Sequence, residues 1–293
     1  MKKLKKSYAY AGIILLSLAI FIAACQKQVD EPIANSDTKK VSIYLTDDPC
    51  NFDSLFVDIR YVEVKIDTSK RHRDDDHHGD DDDDGDDDHH HHDSYGFWDT
   101  LSINAGVYNI LKLRNGIDTL LASGNIPAGK IRKIRITLGT NNSIVVGGVT
   151  KPLTLLAGSN NYVYVKIHKD DEDDDTPTQT AIWLDFDVCK SIKLISGRYY
   201  LKPFLKTFSN KKTGKVEGKV FPRAAAPFVQ IFNATDSGFA IPENDGKYKI
   251  RGLKTGIYKI KFYGHNGYFD TTISNITVQR NRETDVQTIT LHN

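Results

Sequence analysis

Cysteine is scarce in this chain of 293 residues, with three in all, and methionine occurs once and tryptophan twice. So few cysteines exclude a tetracysteine zinc module and a disulfide-dense scaffold. Catalytic signatures are missing as well: there is no Gly-x-Ser-x-Gly, no His-Glu-x-x-His and no glycine loop of the kind that cradles phosphate. Histidine is unevenly spread, seven of ten lying between His72 and His92. His168, His265 and His292 remain, at a loop border, a turn and the chain end, where they read as solvated side chains. The chain is therefore read as non-enzymatic, with no required cofactor. Net charge is also small, +1, but this balance hides segregation. Two acidic runs hold 18 of the 38 acids; without them and the first four lysines, 35 basic residues face 20 acidic ones. Such a body attracts polyanions, yet its own acidic runs compete for it, and no nucleic-acid reading module is present.

Long apolar runs are limited to one. MKKLKK precedes AGIILLSLAIFIAA, which is short for a membrane span, and the run ends in Ile22-Ala23-Ala24-Cys25. This resembles a bacterial lipoprotein signal, and the resemblance implies that Cys25 is acylated and becomes the first mature residue. The expected location is the cell envelope of a Gram-negative bacterium, at the outer membrane and facing the periplasm or the surface. A polar tether then runs to about residue 40.

What is abundant is alternation. VSIYLTD alternates, and LFVDIRYVEVKID places Val57 and Ile59 on one face and then Val62, Val64 and Ile66, a slip of phase that a β-bulge or a bend between sheets produces. Further strands are expected at Val107–Leu113, Ile131–Leu138, Ser143–Val146, Tyr162–Ile167, Ala181–Val188 and Tyr199–Phe208, with turns at Asn115-Gly116, Gly147-Gly148 and Ser196-Gly197. Only Ile117–Ser123 reads as locally helical. The pattern predicts an all-β chain of two antiparallel sandwiches in series. Cys50 and Cys189 either pair in an oxidising compartment or stay separate thiols.

The run Asp74–Asp93 holds twelve Asp and six His with no apolar side chain. It cannot bury anything and is expected to be a disordered insertion spanning 71–94; a second acidic loop spans 169–178. Asp74, Asp76, His77, His78, Asp80, Asp82, Asp84, Asp86 and Asp88 with His89, His90, His91 and His92 supply oxygen and imidazole donors for weakly bound Ca, Zn or Ni. An EF-hand spacing can be drawn through it, but its twelfth position is His91 rather than Glu. Asp185 and Asp187 point to one face of a strand, and these and Asp47-Asp48 are read as acceptors for loop hydrogen bonds rather than as acid and base.

Three motifs in order, Leu45-Thr46-Asp47-Asp48-Pro49, Pro127-Ala128-Gly129 before Ile134-Arg135-Ile136, and Asp185-Phe186-Asp187 with Ser191-Ile192 and Leu201-Lys202-Pro203, resemble a family of extracytoplasmic lipoprotein domains with no established activity. The resemblance covers Val41–Phe208 and implies a secreted, lipid-tethered β domain. Downstream, Asp245-Gly246-Lys247-Tyr248-x-Ile250-x-Gly252-Leu253-x-x-Gly256-x-Tyr258 resembles the carboxypeptidase regulatory-like domain, which implies a small transthyretin-like sandwich and, by fold analogy, a glycan ligand. The expected organisation is signal peptide 1–24, tether 25–40, first domain 41–208 and second domain 209–293. The expected partners are a membrane, through the lipid, and a glycan or protein ligand. The expected role is binding, adhesion or assembly, with metal scavenging and carbohydrate binding as alternatives.

Overall fold

Alternation becomes burial in the first strand. In Thr38–Asp48, Val41, Ile43 and Leu45 are fully buried and Lys40 between them is exposed. The computed structural model describes residues 38–68, 96–168, 173–176 and 178–293, all within the compact unit Ser36–Asn293. Its elements are almost entirely strands, and among the described residues no helix is long and apolar enough to cross a membrane.

Two large sheets and a small one, Thr154–Leu155, Arg198–Leu201 and Ile192–Ile195 in that order, enclose the first core. In one, Asp173–Thr176, Gln179–Asp187, Thr38–Asp48, Thr119–Pro127 and Ser102–Ile103 lie in that order, and Leu205–Phe208 also pairs with Gln179–Asp187. The other runs Tyr162–Lys166, Lys130–Leu138, Ser54–Asp67, Ser143–Val146, Val149–Pro152, with Phe97–Thr100 and Gly106–Asn109 also on Ser54–Asp67. Val41, Ile43 and Leu45 of the first sheet and Val57, Val62 and Ile134 of the second share one apolar cluster. The slip is a bulge: register shifts between Ile59 and Tyr61, and Arg60 and Tyr61 both face out, which restores burial for Val62 and Val64.

A second core, from Val216 to Leu291, lies between two four-stranded sheets. One holds Gly214–Phe221, Lys247–Leu253, Glu283–Asp285 and Ile289–Thr290; the other holds Ser237–Ala240, Phe228–Phe232, Gly256–Tyr263 and Thr271–Val278. Tyr248, Ile250, Tyr258, Ile260 and Phe262 all point into it.

Several expectations are corrected. The sheets are mixed, because Thr38–Asp48 pairs in parallel with Gln179–Asp187 over nine positions; the long intervening chain provides the crossover that a parallel pair needs. Ile117–Ser123 is not helical: Thr119–Pro127 is a strand on Thr38–Asp48 that buries Leu121, Ala122 and Ile126, so tertiary pairing overrides a weak local signal. Val107–Leu113 is divided into the strand Gly106–Asn109 and the 3-10 turn Ile110–Leu113. Tyr199–Phe208 is two strands, Arg198–Leu201 and Leu205–Phe208, separated around Pro203, which has no N–H for a ladder. Part of the second acidic run, Asp173–Thr176, is a strand rather than a loop. The Asp245-Gly246 turn forms, with Gly246 at φ 80°, but it joins strands of different sheets instead of closing a hairpin.

Candidate functional site

The Leu-Thr-Asp-Asp and Leu-Asp-Phe-Asp motifs come together because their strands are parallel neighbours. Thr46 lies opposite Asp185, Asp47 opposite Phe186 and Asp48 opposite Asp187. By alternation Thr46, Asp48, Asp185 and Asp187 share the outer face, whereas Asp47 follows Val41, Ile43 and Leu45 on the core face. Four carboxylates thus gather at two strand ends. Lys206, on the adjoining strand Leu205–Phe208, reaches Asp48 at 3.3 Å and Asp185 at 3.5 Å. Asp187 caps the one-turn helix Val188–Ser191 by accepting from the Lys190 N–H at 2.9 Å, and its other oxygen meets Lys190 Nζ at 2.8 Å. Asp48 accepts from the Phe239 N–H of the second body at 2.8 Å. Asp48 and Asp187 are therefore structural acceptors.

Asp47 differs. It is 8% exposed and neither carboxylate oxygen has a hydrogen-bond partner. Burial pushes its pKa well above the ordinary value, and the nearby Asp185 and Asp48 carboxylates add to that. Asp48 is pushed up to about 8, by burial first and Asp185 second, against the opposing pull of Lys206. Asp185 is raised by burial too. Burial would lower the Lys206 pKa, but Asp185, Asp48 and Asp187 outweigh it and hold the amine protonated. Lys206 thus stands as a cation between the Asp48 and Asp185 carboxylates.

A cleft of ≈ 690 Å³ opens over this cluster between the two cores, lined by Asp48, Asp185 and Lys206 on one side and Phe239, Arg251 and Lys254 on the other. Arg251 closes one end. It donates to Asp118 at 2.8 Å and to Thr46 Oγ1 at 3.1 Å, and Asp118 also accepts from Trp183 Nε1 at 2.9 Å. Asn115 donates to the Ile241 carbonyl at 2.9 Å, and Gly252 rests on Phe208, whose ring a Cβ would meet at 3.0 Å. Sequence reasoning missed Lys206 and Arg251. Their only signal was a basic residue on an alternating strand, which is common.

A second cleft, ≈ 710 Å³, is lined by Cys50, Cys189, Phe228, Tyr263, Glu243, Asn244 and Asn266 among others. Cys50 and Cys189 are joined in a disulfide across 139 residues, with a Cα separation of 5.0 Å. His265 Nδ1 lies 3.0 Å from the Ala226 carbonyl, His168 lines the first cleft and the His292 carbonyl accepts from the Phe269 N–H. Among the described residues one trio of carboxylates, Glu217, Glu283 and Asp285, lies close enough to share an ion, but Lys249 already pairs with Glu217 and Glu283. Cys25 and the Asp and His residues from Asp74 to His92 lie outside the described residues.

Comparison with known proteins gives one strong match and several weak ones. A search of curated proteins finds no match. Among solved structures, a cohesin–X-dockerin complex from Acetivibrio cellulolyticus is 19% identical over 27% of this chain and 56% of that one, with a TM-score of 0.23. A minor pilin of Streptococcus agalactiae is 10% identical over 86% of this chain and 96% of that one, TM-score 0.21. The shaft pilin of Lactobacillus rhamnosus GG is 10% identical over 86% and 97%, TM-score 0.21. Overlaps at this level carry no functional weight. The model of a domain of unknown function, DUF4382, matches residues 38–203, the segment that holds the first core, the four carboxylates and both disulfide cysteines. The chain belongs to the DUF4382 family.

Proposed function

We propose that this protein is a non-enzymatic, lipid-anchored envelope protein serving binding or assembly, tethered at the outer membrane through Cys25, whose Asp/His run binds divalent cations weakly. The observation that supports it is the shared origin of three segments. Asp67, where the chain leaves for the Asp/His run, pairs with Lys130, and the return strand Phe97–Thr100 pairs with the same strand that Asp67 ends. Ile167, before the second acidic run, donates to the Arg132 carbonyl, and Thr178, after it, accepts from Lys40. Thr38 pairs with Pro127, at the other side of the short turn to Lys130. Thr38 and the described residues that flank both acidic runs therefore lie at one end of the first core, while Asp48 and Asp118 hold the second core from the opposite strand ends. The cost of ordering the Asp/His run would keep its affinity for cations weak and unselective.

Calorimetric titration of residues 26–293 with calcium, zinc and nickel, beside a protein lacking 74–93, tests the cation reading. Binding at micromolar to millimolar Kd that disappears with the deletion supports it. Equal heats in both proteins remove it. The second body reads as a carboxypeptidase regulatory-like module, and the ≈ 710 Å³ cleft favours a second function, recognition of a glycan by Phe228 and Tyr263 with Glu243, Asn244 and Asn266 at the rim. A glycan array on the same protein, with a hit lost in Phe228→Ala, checks it.

A further inference from the structure

The hairpin of Ile192–Ile195 and Arg198–Leu201 carries apolar side chains where a turn is ordinarily polar. Its root is fixed. Ile192 pairs with Leu201, and both are buried in the first core. The Lys202 N–H donates to the Ser191 carbonyl, Ser191 Oγ donates to the Asp187 carbonyl at 2.6 Å, and Cys189 is joined to Cys50. Tyr199 meets Phe52 edge-on at 6.3 Å. Beyond this row the hairpin leaves the core. Ser196 and Gly197, at φ 49° and 74°, make a two-residue turn, and Leu194 and Ile195 before it are 61% and 47% exposed. Successive strand residues point to opposite faces, so Leu194 projects with Tyr199 from one face and Ile195 with Arg198 from the other. Cations surround this tip: Lys193, Arg198 and Lys202 are exposed, and residues 188–208 hold five basic side chains and no acid. Lys151 adds an ammonium 5.4 Å from the Tyr199 ring centre, and Lys190, paired with Asp187, lies 4.8 Å from the Phe204 ring centre. Asp53, the acid beside Phe52, accepts from the Gly148 N–H.

We propose that this hairpin tip inserts into the surface of a bilayer of anionic phospholipids. A groove on a partner protein covers one face of a strand pair, whereas acyl chains close around both, and this tip is apolar on both. From the buried Ile192–Leu201 row to the Ile195–Arg198 row is about 10 Å at roughly 3.4 Å per residue, a depth that suits interfacial insertion. Lys193 and Arg198 lay their methylene stems along apolar surface while their charges reach phosphate. Tyr199 and Tyr200, half-buried one and two residues back from the turn, stand where aromatic rings favour the interface. Charge complementarity selects anionic over zwitterionic lipid, each basic side chain near the surface adding about fivefold to the partition coefficient. The hairpin follows Asp187, at the strand ends opposite Thr38, so this contact is separate from the lipid attachment proposed at Cys25.

The test is cosedimentation of residues 26–293, which keep the compact unit and lack Cys25, with vesicles of phosphatidylglycerol and of phosphatidylcholine. A chelator excludes bridging by divalent cations and so separates this proposal from the cation reading. The expected result is binding to phosphatidylglycerol that exceeds binding to phosphatidylcholine at least tenfold, weakens at least tenfold in Lys193→Gln/Arg198→Gln, is lost in Leu194→Asp/Ile195→Asp and falls as salt rises. These positions are exposed, and melting temperatures equal to the parent's show that the variants fold. Leu194→Trp should add emission that moves to shorter wavelength on phosphatidylglycerol vesicles and is quenched by brominated acyl chains. No binding, binding that the tip variants leave unchanged, or a bound Leu194→Trp protein quenched no more than the parent would each overturn the proposal. So would a dimer in solution that Leu194→Asp/Ile195→Asp dissolves, which would assign the tip to a second copy of the chain.

Discussion

At the scale of single residues, Asp47 carries the sharpest expectation. Its carboxyl has a raised pKa in the fold and an ordinary one when unfolded. Between those values the folded state binds more protons, so stability falls as pH rises from the unfolded pKa through the folded one, and is fully present only below about pH 4. Asp48, pushed up to about 8, and Asp185 act in the same direction. Asp47→Asn, which cannot ionise, should flatten this dependence and raise Tm at pH 8 by about 2–4 °C, with the difference vanishing near pH 4. Thermal melts across pH 4–9 check it; a parallel offset at every pH would contradict the assignment. The Asp185 and Asp187 pair was legible as a same-face pattern. That Asp47 turns inward and lacks a partner was not, because alternation cannot show what packs opposite a strand end.

The disulfide acts at the scale of elements. It ties the loop after Thr38–Asp48 to the one-turn helix that follows Gln179–Asp187, the two strands of the parallel pair. Closing a loop of 139 residues lowers the entropy of the unfolded chain, and by that argument Cys50→Ser/Cys189→Ser should lose about 5 kcal/mol. Urea unfolding with and without reductant measures it: reductant should shift the parent midpoint to that of the double variant and leave the variant unmoved. The spacing of the cysteines left pairing open. Strand order decided it, since only a parallel register brings both strand ends to the same side.

Two hydrophobic cores share one compact unit, and polar contacts join them at the scale of the whole molecule. Arg251 is central: its side chain is 10% exposed and bridges Asp118 and Thr46. Removing it takes the cation from Asp118, which keeps the Trp183 N–H and is 28% exposed, and should cost about 1–2 kcal/mol. Calorimetry of Arg251→Ala should then separate one melting transition into two, the lower one assigned by Trp183 fluorescence, because Trp183 shares Asp118 with Arg251. A single transition that only shifts would mean the cores are coupled mainly elsewhere.

Sequence alone determined the all-β class, the change of phase near Tyr61, the tight Asn-Gly and Gly-Gly turns, the alternation of the first strand and the shared face of Tyr248 and Ile250, because each depends on neighbours within a few residues. Tertiary structure decided the parallel pairing, the strand at Thr119–Pro127, and the gathering of Asp47, Asp48, Asp185 and Asp187, with Lys206 between Asp48 and Asp185. These depend on register between segments up to about 140 residues apart, which alternation leaves free. A strand's period says which residues share a face, and only its neighbours say what that face meets.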